Sequence, residues 1–244
     1  MDPKLRRLID EIAGLPADWH GAGSVNQDVL LAMARHLQVL GRIGQSAETG
    51  AGRTTLLFSH LSDHHLVFAK DDGGSVSETS ASPLLQAEHV TFIEGPTQQT
   101  LPDYHFEGTF QAVLLDGPHG YPFPDLEYYY FYPRLDSGGL LILDDTRIPS
   151  IGRMLDILRV DAMFDLIEIV RDTAFLRRTG TPTIQPLGDS WWLQGYNRSH
   201  YEQNHASGSD APSARLLRRL SGLTPQTVKD SLPGAVRRRL LRRM

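Results

Sequence analysis

Short apolar runs alternate with helical stretches through the middle of this 244-residue chain. The runs have the length of strands, and the stretches between most of them can hold crossover helices. This alternation is typical of a mostly parallel sheet covered by helices on both faces. We therefore predict an α/β fold, a Rossmann-like αβα sandwich with a seven-stranded sheet. The predicted strands are a weak one that ends before Glu48, followed by 65–70, 90–94, 111–115, 140–143, 166–170 and 173–177.

The last two predicted strands are separated only by Arg171 and Asp172. Two residues are too few for a crossover helix, so these strands should form a terminal antiparallel pair. Periodic apolar positions predict helices at 4–14, 27–40, 52–62, 124–132 and 150–161.

The length of the chain suits one α/β domain with appendages. Residues 199–213 are small and polar, a composition that favours a linker. We divide the chain into N-terminal helices with a Gly-rich loop (1–44), an α/β core (45–198), that linker, and a basic amphipathic tail (214–244).

Charge is distributed unevenly. Residues 211–244 hold nine basic residues and one acidic residue, whereas the remainder carries 15 basic and 28 acidic residues. An acidic body argues against nucleic acid as a partner. The tail could meet an anionic membrane, an acidic patch of its own body or a partner protein. The chain has no cysteine, no run long enough to cross a bilayer and no secretory signal at its start, so we expect a cytoplasmic protein.

A glycine-containing loop, Glu48-Thr-Gly50-Ala-Gly52, lies where the first strand should turn into a helix. Glycines there permit a positive φ and let the backbone pass close to a ligand. Asp71 follows the next strand about 20 residues on, the position of a ribose-binding acid. Asp72 is an alternative for that role, and a simple turn with a solvated acid would give the same pattern.

Two nucleotide-like ligands compete for this loop. A dinucleotide site would have a third glycine where Thr55 stands, and its pyrophosphate would be repelled by Glu48. S-adenosylmethionine carries a cationic sulfonium and an ammonium group, which a carboxylate favours. We therefore predict S-adenosylmethionine as the cofactor and keep an NAD(P)-dependent oxidoreductase as the alternative.

The order and spacing of these motifs resemble class I S-adenosylmethionine-dependent methyltransferases. The segments Leu115-Asp-Gly-Pro-His-Gly-Tyr121 and Gly138-Gly-Leu-Leu-Ile-Leu-Asp-Asp145 resemble a metal-dependent subgroup that methylates sugar oxygens in macrolides and aminocoumarins. The resemblance covers roughly residues 45–180. It implies a small-molecule hydroxyl acceptor and the following cofactor-binding residues: Glu48, Gly50 and Gly52 at the methionine end, Asp71 at the ribose, Gly95 near the adenine, and Asp116.

Three acids follow predicted strands four and five: Asp116, Asp144 and Asp145. Converging carboxylates repel one another unless protons or a cation intervene, and hard oxygen ligands suit Mg²⁺. In the resembling sugar O-methyltransferases the matching acids bind magnesium, so we predict Mg²⁺ as a second cofactor. Acids at these positions also occur without metal, and one of Asp144 and Asp145 could cap the following segment.

His119 lies three residues beyond Asp116. An imidazole titrates near neutral pH and can remove a proton from a hydroxyl, so His119 is the predicted catalytic base. Some resembling enzymes use an acid two residues after the strand-four aspartate, but that position here is Pro118. His119 could also be a structural hydrogen-bonding residue of the turn.

The remaining motifs have two interpretations each. The segment Trp19–Gly23 could close over the cofactor as a lid or be a packed turn between helices. Aromatic residues between 121 and 132 could belong to the core or to a homo-oligomer interface. His64 and His65 are expected to be solvated. A protein that keeps this fold without catalysis and acts through its tail is a further alternative.

Overall fold

The computed structural model describes residues 1–206. They fall into two compact units, one spanning Met1–Ser190 and one that starts at Trp191. The first unit contains helices α1 (Pro3–Ala13), α2 (Gln27–Leu40), α3 (Arg53–Ser59), α4 (Ser75–Ala81), α5 (Thr97–Asp103), α6 (Phe123–Phe131) and α7 (Pro149–Leu158). Its strands are β1 (Ile43–Thr49), β2 (Ser62–Ala69), β3 (Val90–Glu94), β4 (Phe110–Leu115), β5 (Leu135–Leu143), β6 (Phe164–Val170) and β7 (Thr173–Arg178).

The seven strands form one sheet in the order β3-β2-β1-β4-β5-β7-β6. Strands β1 to β5 are parallel, while β7 runs antiparallel to both β5 and β6. This topology confirms the predicted Rossmann-like sandwich and its terminal antiparallel pair. Strand order reverses between β1 and β4, which is where open α/β sheets bind their ligands.

The central strands bury side chains on both faces of the sheet. One core contains Val113 and Leu141 with residues of α5, α6 and α7, and the opposite core contains Leu114 and Ile142 with residues of α1, α2 and α3. The N-terminal helices predicted as a separate segment are thus part of the same unit as the sheet. Their apolar stripes are what cover this face of the sheet.

Two helices of the first unit, α4 and α5, were not predicted. The sequence of α4 is Ser-Val-Ser-Glu-Thr-Ser-Ala, and α5 contains Pro102. Hydroxyl residues and proline are poor helix formers, so local propensity hides both elements. Helix α3 is shorter than predicted because β2 already begins at Ser62.

The predicted linker at 199–213 is wrong in its first part. Residues up to Ala206 belong to helix α8 (Gly195–Ala206), and the first compact unit ends at Ser190 rather than at 198. Within α8 the ring of Tyr196 packs on His200, whose Nδ1 lies 3.0 Å from the Tyr196 carbonyl oxygen. Polar composition marked a linker, but these local contacts are compatible with a helix. The rest of the linker and the tail lie outside the described residues.

Among residues 1–206, no helix has both the length and the apolar character needed to cross a membrane.

Candidate active site

The carboxyl ends of β1, β4 and β5 bring the predicted site residues to one edge of the sheet. Gly50 follows β1, Asp116 follows β4, and Asp144 and Asp145 follow β5. Because β4 lies between β1 and β5, Asp116 is central to this edge.

Gly50 is required by the approach of two loops. Its φ is +89°, and a methyl group on it would lie 2.5 Å from the carbonyl oxygen of Asp116. Its amide donates to the carbonyl of Phe68. No side chain therefore fits at Gly50, and this lets the loops after β1 and β4 lie in contact.

Glu48 is fully buried and turned into the protein. Its two carboxylate oxygens accept hydrogen bonds from the hydroxyls of Thr54 and Thr55, at the start of α3. Nε2 of His65 lies 3.2 Å from Oε1 of Glu48. These contacts fasten the loop to α3. A role of Glu48 at the methionine end of the cofactor stays a prediction.

His65 was predicted to be solvated, and this was wrong. The residue lies inside β2 beside β1, where its ring stacks on Phe58 with 4.5 Å between centroids and its Nδ1 lies 2.7 Å from Oγ of Ser46. The strand starts at Ser62, three residues earlier than predicted, and this places His65 within the sheet. His64 is exposed, as expected.

The two candidates for ribose binding differ in their contacts. Asp71 accepts hydrogen bonds from the amides of Val76 and Ser77 and from the Ser77 hydroxyl, so it caps α4. The Ser77 hydroxyl is the main cause that lowers the pKa of Asp71. The side chain of Asp72 is 79% exposed, with Lys70 at 3.8 Å. Both remain candidates.

Gly95, predicted near the adenine, follows β3 with a φ of +139°. Its amide donates to the carbonyl of Ala69 at 2.9 Å, which joins the loops after β2 and β3. A methyl group on Gly95 would lie 2.9 Å from the Thr100 side chain. The position therefore favours glycine on both conformational and steric grounds.

Three of the predicted polar side chains converge. Asp116, His119 and Asp145 each offer one ligand atom, and these atoms lie within 4.8 Å of one another. Nε2 of His119 is 3.6 Å from Oδ1 of Asp116 and 3.2 Å from Oδ2 of Asp145. Asp145 has a φ of +53°, a left-handed conformation that is sparsely populated outside glycine. Two carboxylates and an imidazole are ligand types that a divalent cation accepts.

Asp144 lies beside this cluster. Its Oδ1 accepts a hydrogen bond of 2.5 Å from the Thr173 hydroxyl. Burial is the main cause that raises the pKa of Asp144, and burial also raises the pKa of Asp116 to about 7. The pKa of His119 is raised chiefly by its contact with Asp116. Burial thus disfavours the charged forms of Asp116 and Asp144, and a bound cation would offset that cost.

Glu127 is a functional candidate that sequence reasoning missed. It is 1% exposed, and its Oε2 accepts a 2.8 Å hydrogen bond from Thr49. The Thr49 hydroxyl in turn accepts from the amide of Asp116. Oε1 of Glu127 has no partner and lies directly beneath Gly117, where even a Cβ would clash. Burial raises the pKa of Glu127 to about 8. The sequence signal that could have indicated Glu127 is its position as an acid among the aromatic residues of α6.

A polar cavity of about 250 Å³ opens next to the acidic cluster. Arg147 pairs with Asp172 at 2.9 Å and Arg171 pairs with Asp28 at 2.6 Å, so both guanidinium groups are neutralised. The lining is Ser24, Val25, Asn26, Val29, Asp144, Asp145, Arg147, Arg171, Asp172 and Thr173.

The loop between α1 and α2 (residues 14–26) packs on the glycine loop. Arg53, which follows Gly52, donates to the carbonyls of Leu15 and Val25 near the two ends of the α1–α2 loop. The amide of Gly21 donates to the carbonyl of Gly73 at 2.7 Å. The predicted Trp19–Gly23 segment is therefore packed against both loops of the expected cofactor site.

The aromatic residues between 121 and 132 divide between core and surface. Phe131 and Tyr132 are buried in the core, and Tyr128 packs against it. Tyr121 is exposed beneath Arg153, whose guanidinium lies 4.8 Å from the ring centroid.

Comparison with known proteins agrees with this fold. Residues 47–146 match the family model of a methyltransferase domain, which covers the glycine loop and all four polar residues of the sheet edge. No curated protein sequence matches the chain.

The structure resembles several solved methyltransferases at low sequence identity. A candidate O-methyltransferase from Klebsiella pneumoniae has 18% identity and a TM-score of 0.52, with 74% of this chain and 91% of that chain covered. TomG, an O-methyltransferase of tomaymycin synthesis from Streptomyces achromogenes solved with S-adenosylmethionine, has 15% identity and a TM-score of 0.53, covering 74% and 91%. MycE, a methyltransferase of the mycinamycin pathway solved with Mg, S-adenosylhomocysteine and mycinamycin VI, has 14% identity and a TM-score of 0.51, covering 75% and 57%. The chain therefore has the Rossmann-like methyltransferase fold.

Proposed function

We propose that the protein is an S-adenosylmethionine-dependent methyltransferase that methylates an oxygen atom of a small polyhydroxyl acceptor, such as a sugar, with Mg²⁺ bound at the sheet edge. The observation that carries this proposal is the convergence of Asp116, His119 and Asp145 beside the Gly50 loop, at the point where the strand order reverses. The match of residues 47–146 to a methyltransferase domain supports it.

The cofactor would lie across the loops that follow β1, β2 and β3. Gly50 and Gly52 would line the methionine end, Asp71 or Asp72 would bind the ribose hydroxyls, and Gly95 would border the adenine. S-adenosylmethionine, when bound, supplies the methyl group as an electrophile on its sulfonium. Thr55 hydrogen-bonds Glu48, so the position at which a dinucleotide site would have its third glycine anchors the loop instead.

Mg²⁺ would be held by Asp116, Asp145 and Asp144. The first two already face each other across His119, and the Thr173 hydroxyl would orient the carboxylate of Asp144. Hydrogen bonds of this kind commonly orient carboxylates that bind metals. The cation, when bound, supplies positive charge that lowers the pKa of an acceptor hydroxyl.

His119 would accept the proton of the acceptor hydroxyl. Its Nε2 is buried without a hydrogen-bond partner, and its neighbours Asp116 and Asp145 stabilise the protonated ring. A base with a raised pKa, in contact with Asp145 of the cavity lining, suits proton transfer from a hydroxyl near neutral pH.

The cavity beside Asp145 supports a hydrophilic acceptor. Its lining is mostly hydroxyl, amide and paired charged groups, which match a molecule with several hydroxyls better than an apolar one. The absence of an unpaired cation among its lining residues, as far as residues 1–206 show, argues against a strongly anionic acceptor.

Ligand-induced thermal shift tests the proposal directly. S-adenosylhomocysteine should raise the melting temperature, while NAD and NADP should not, because a ligand stabilises only the fold that binds it. A panel of sugars and polyhydroxyl compounds should then be screened for transfer of a labelled methyl group with and without Mg²⁺. Stabilisation by NAD or NADP alone would contradict the proposal.

A further inference from the structure

His20 lies outside the segment that matches the methyltransferase domain and directly on the glycine loop. The residue is 6% exposed, and a methyl group placed on Gly52 would lie 3.1 Å from its Nε2. Nδ1 of His20 lies 3.0 Å from the carbonyl oxygen of Ala22. Nε2, by contrast, is buried without any hydrogen-bond partner.

These contacts define the hydrogen-bonding role of the ring. A carbonyl oxygen only accepts, so Nδ1 must donate its hydrogen to Ala22. In the neutral imidazole, Nε2 is then an acceptor. A buried acceptor without a partner costs free energy, and this cost is recovered when a donor binds there. The donor that this position would meet is a ligand at Gly52.

The α1–α2 loop is held in place by contacts that leave little freedom to His20. Arg53 fastens Leu15 and Val25, and the amide of Gly21 bonds Gly73. At Gly21 and Gly73 the two backbones are in contact: a methyl group on Gly21 would lie 3.0 Å from Cα of Gly73. Nε2 is thus fixed in position before any ligand arrives, which reduces the entropic cost of binding.

We propose that His20 is a cofactor-binding residue whose Nε2 accepts a hydrogen bond from the α-ammonium group at the methionine end of S-adenosylmethionine. This inference rests on the proposed function, because it requires the cofactor to lie along Gly50 and Gly52. The glycine loop is the expected location of the methionine end of the cofactor. This end carries an ammonium and a carboxylate group, and only the ammonium can donate a hydrogen bond. The carboxylate would meet a lone pair at Nε2 and be repelled.

Removing the His20 ring should lower affinity only for ligands that carry the amino group of the methionine end. His20→Ala should weaken S-adenosylhomocysteine binding by about 10- to 100-fold, the usual effect of a hydrogen bond to a charged group. It should leave the affinity for 5′-methylthioadenosine unchanged, because that compound lacks the amino-acid end. An S-adenosylhomocysteine analogue without the amino group should bind wild type and His20→Ala equally. His20→Gln, whose amide oxygen is an acceptor, should recover part of the affinity.

Two glycine variants distinguish the effect of the His20 ring on affinity from the effect of the loop that carries it. Gly21→Ala should displace the loop from Gly73 and weaken S-adenosylhomocysteine binding, and adding His20→Ala should cause little further loss because both act on one contact. Gly23→Ala is the matched control, since a Cβ there meets nothing within 4 Å.

Isothermal titration calorimetry on the full chain would measure these affinities, with thermal melts of each variant to verify folding. Equal affinity of wild type and His20→Ala for S-adenosylhomocysteine would overturn the role of His20 while leaving the cofactor assignment intact. Equal losses for S-adenosylhomocysteine and 5′-methylthioadenosine would show that His20 only packs the loop. No binding of S-adenosylhomocysteine to wild type would instead reject the proposed function.

Discussion

Nε2 of His119 lies 3.2 Å from Oδ2 of Asp145. This contact places the predicted base within the group of atoms that could hold a cation, although the sequence predicted the two roles for separate residues. A histidine in such a position can act as a base, as a ligand or as a counter-charge for the acids. Variants that separate metal binding, cofactor binding and turnover are therefore the most informative.

Because of Asp116, Asp144 and Asp145, the melting temperature of the protein should rise when Mg²⁺ is added. Asp116→Asn and Asp145→Asn should each reduce the rise in melting temperature on adding Mg²⁺, because each removes an anionic oxygen and relieves repulsion in the metal-free state. Thr173→Val should reduce it less, since it only frees the carboxylate of Asp144. Thermal melts in chelator and in Mg²⁺ measure the effect. Asp103→Asn, at an exposed site, is the control, and a full Mg²⁺ response in Asp116→Asn would contradict the metal site.

Gly50 should be intolerant of any side chain. Gly50→Val combines a φ of +89° with a steric clash against the carbonyl of Asp116, so S-adenosylhomocysteine binding should be abolished. Gly44→Ala, in the strand that precedes Gly50, is the matched control, because a Cβ there meets only Gln111 at 3.5 Å. Calorimetry on folded variants checks this, and unchanged affinity in Gly50→Val would remove the loop from the cofactor site.

The alternation of apolar runs along the sequence predicted the sheet, whereas side-chain contacts between different elements could not be predicted. The alternating apolar runs predicted the strands of a mostly parallel sheet, and the end of the fourth run predicted the position of Asp116 at the end of β4. The burial of His65 depended on a strand start that local composition does not mark. The contact of Glu127 with Gly117 depends on how the loop after β4 lies on α6, and the position of His20 on Gly52 joins residues far apart in sequence. The local sequence predicts neither contact.

The burial of Glu127 should appear as a pH dependence of stability. Its pKa is raised from 4.5 to about 8 in the folded protein, so between these values the folded state holds a proton that the unfolded chain has lost. Stability should therefore fall as the pH rises from 4.5 to 8. Glu127→Gln, which cannot ionise, should lack this part of the decline. Urea unfolding at pH 5 and pH 8.5 measures it, with Glu107→Gln as an exposed control, and parallel curves for wild type and Glu127→Gln would contradict the buried acid.

His119→Ala should lower turnover by about 10²- to 10⁴-fold, the usual contribution of a general base. The cofactor loops do not depend on this side chain, so affinity for S-adenosylhomocysteine should be unchanged. The Mg²⁺-induced rise in melting temperature should also persist, because the carboxylates of Asp116 and Asp145 remain. If that rise disappears together with activity, the imidazole is a metal ligand rather than a base. If full turnover remains, the acceptor proton must leave by another group or to solvent, and the proposed role of His119 would be wrong while the methyltransferase assignment stands.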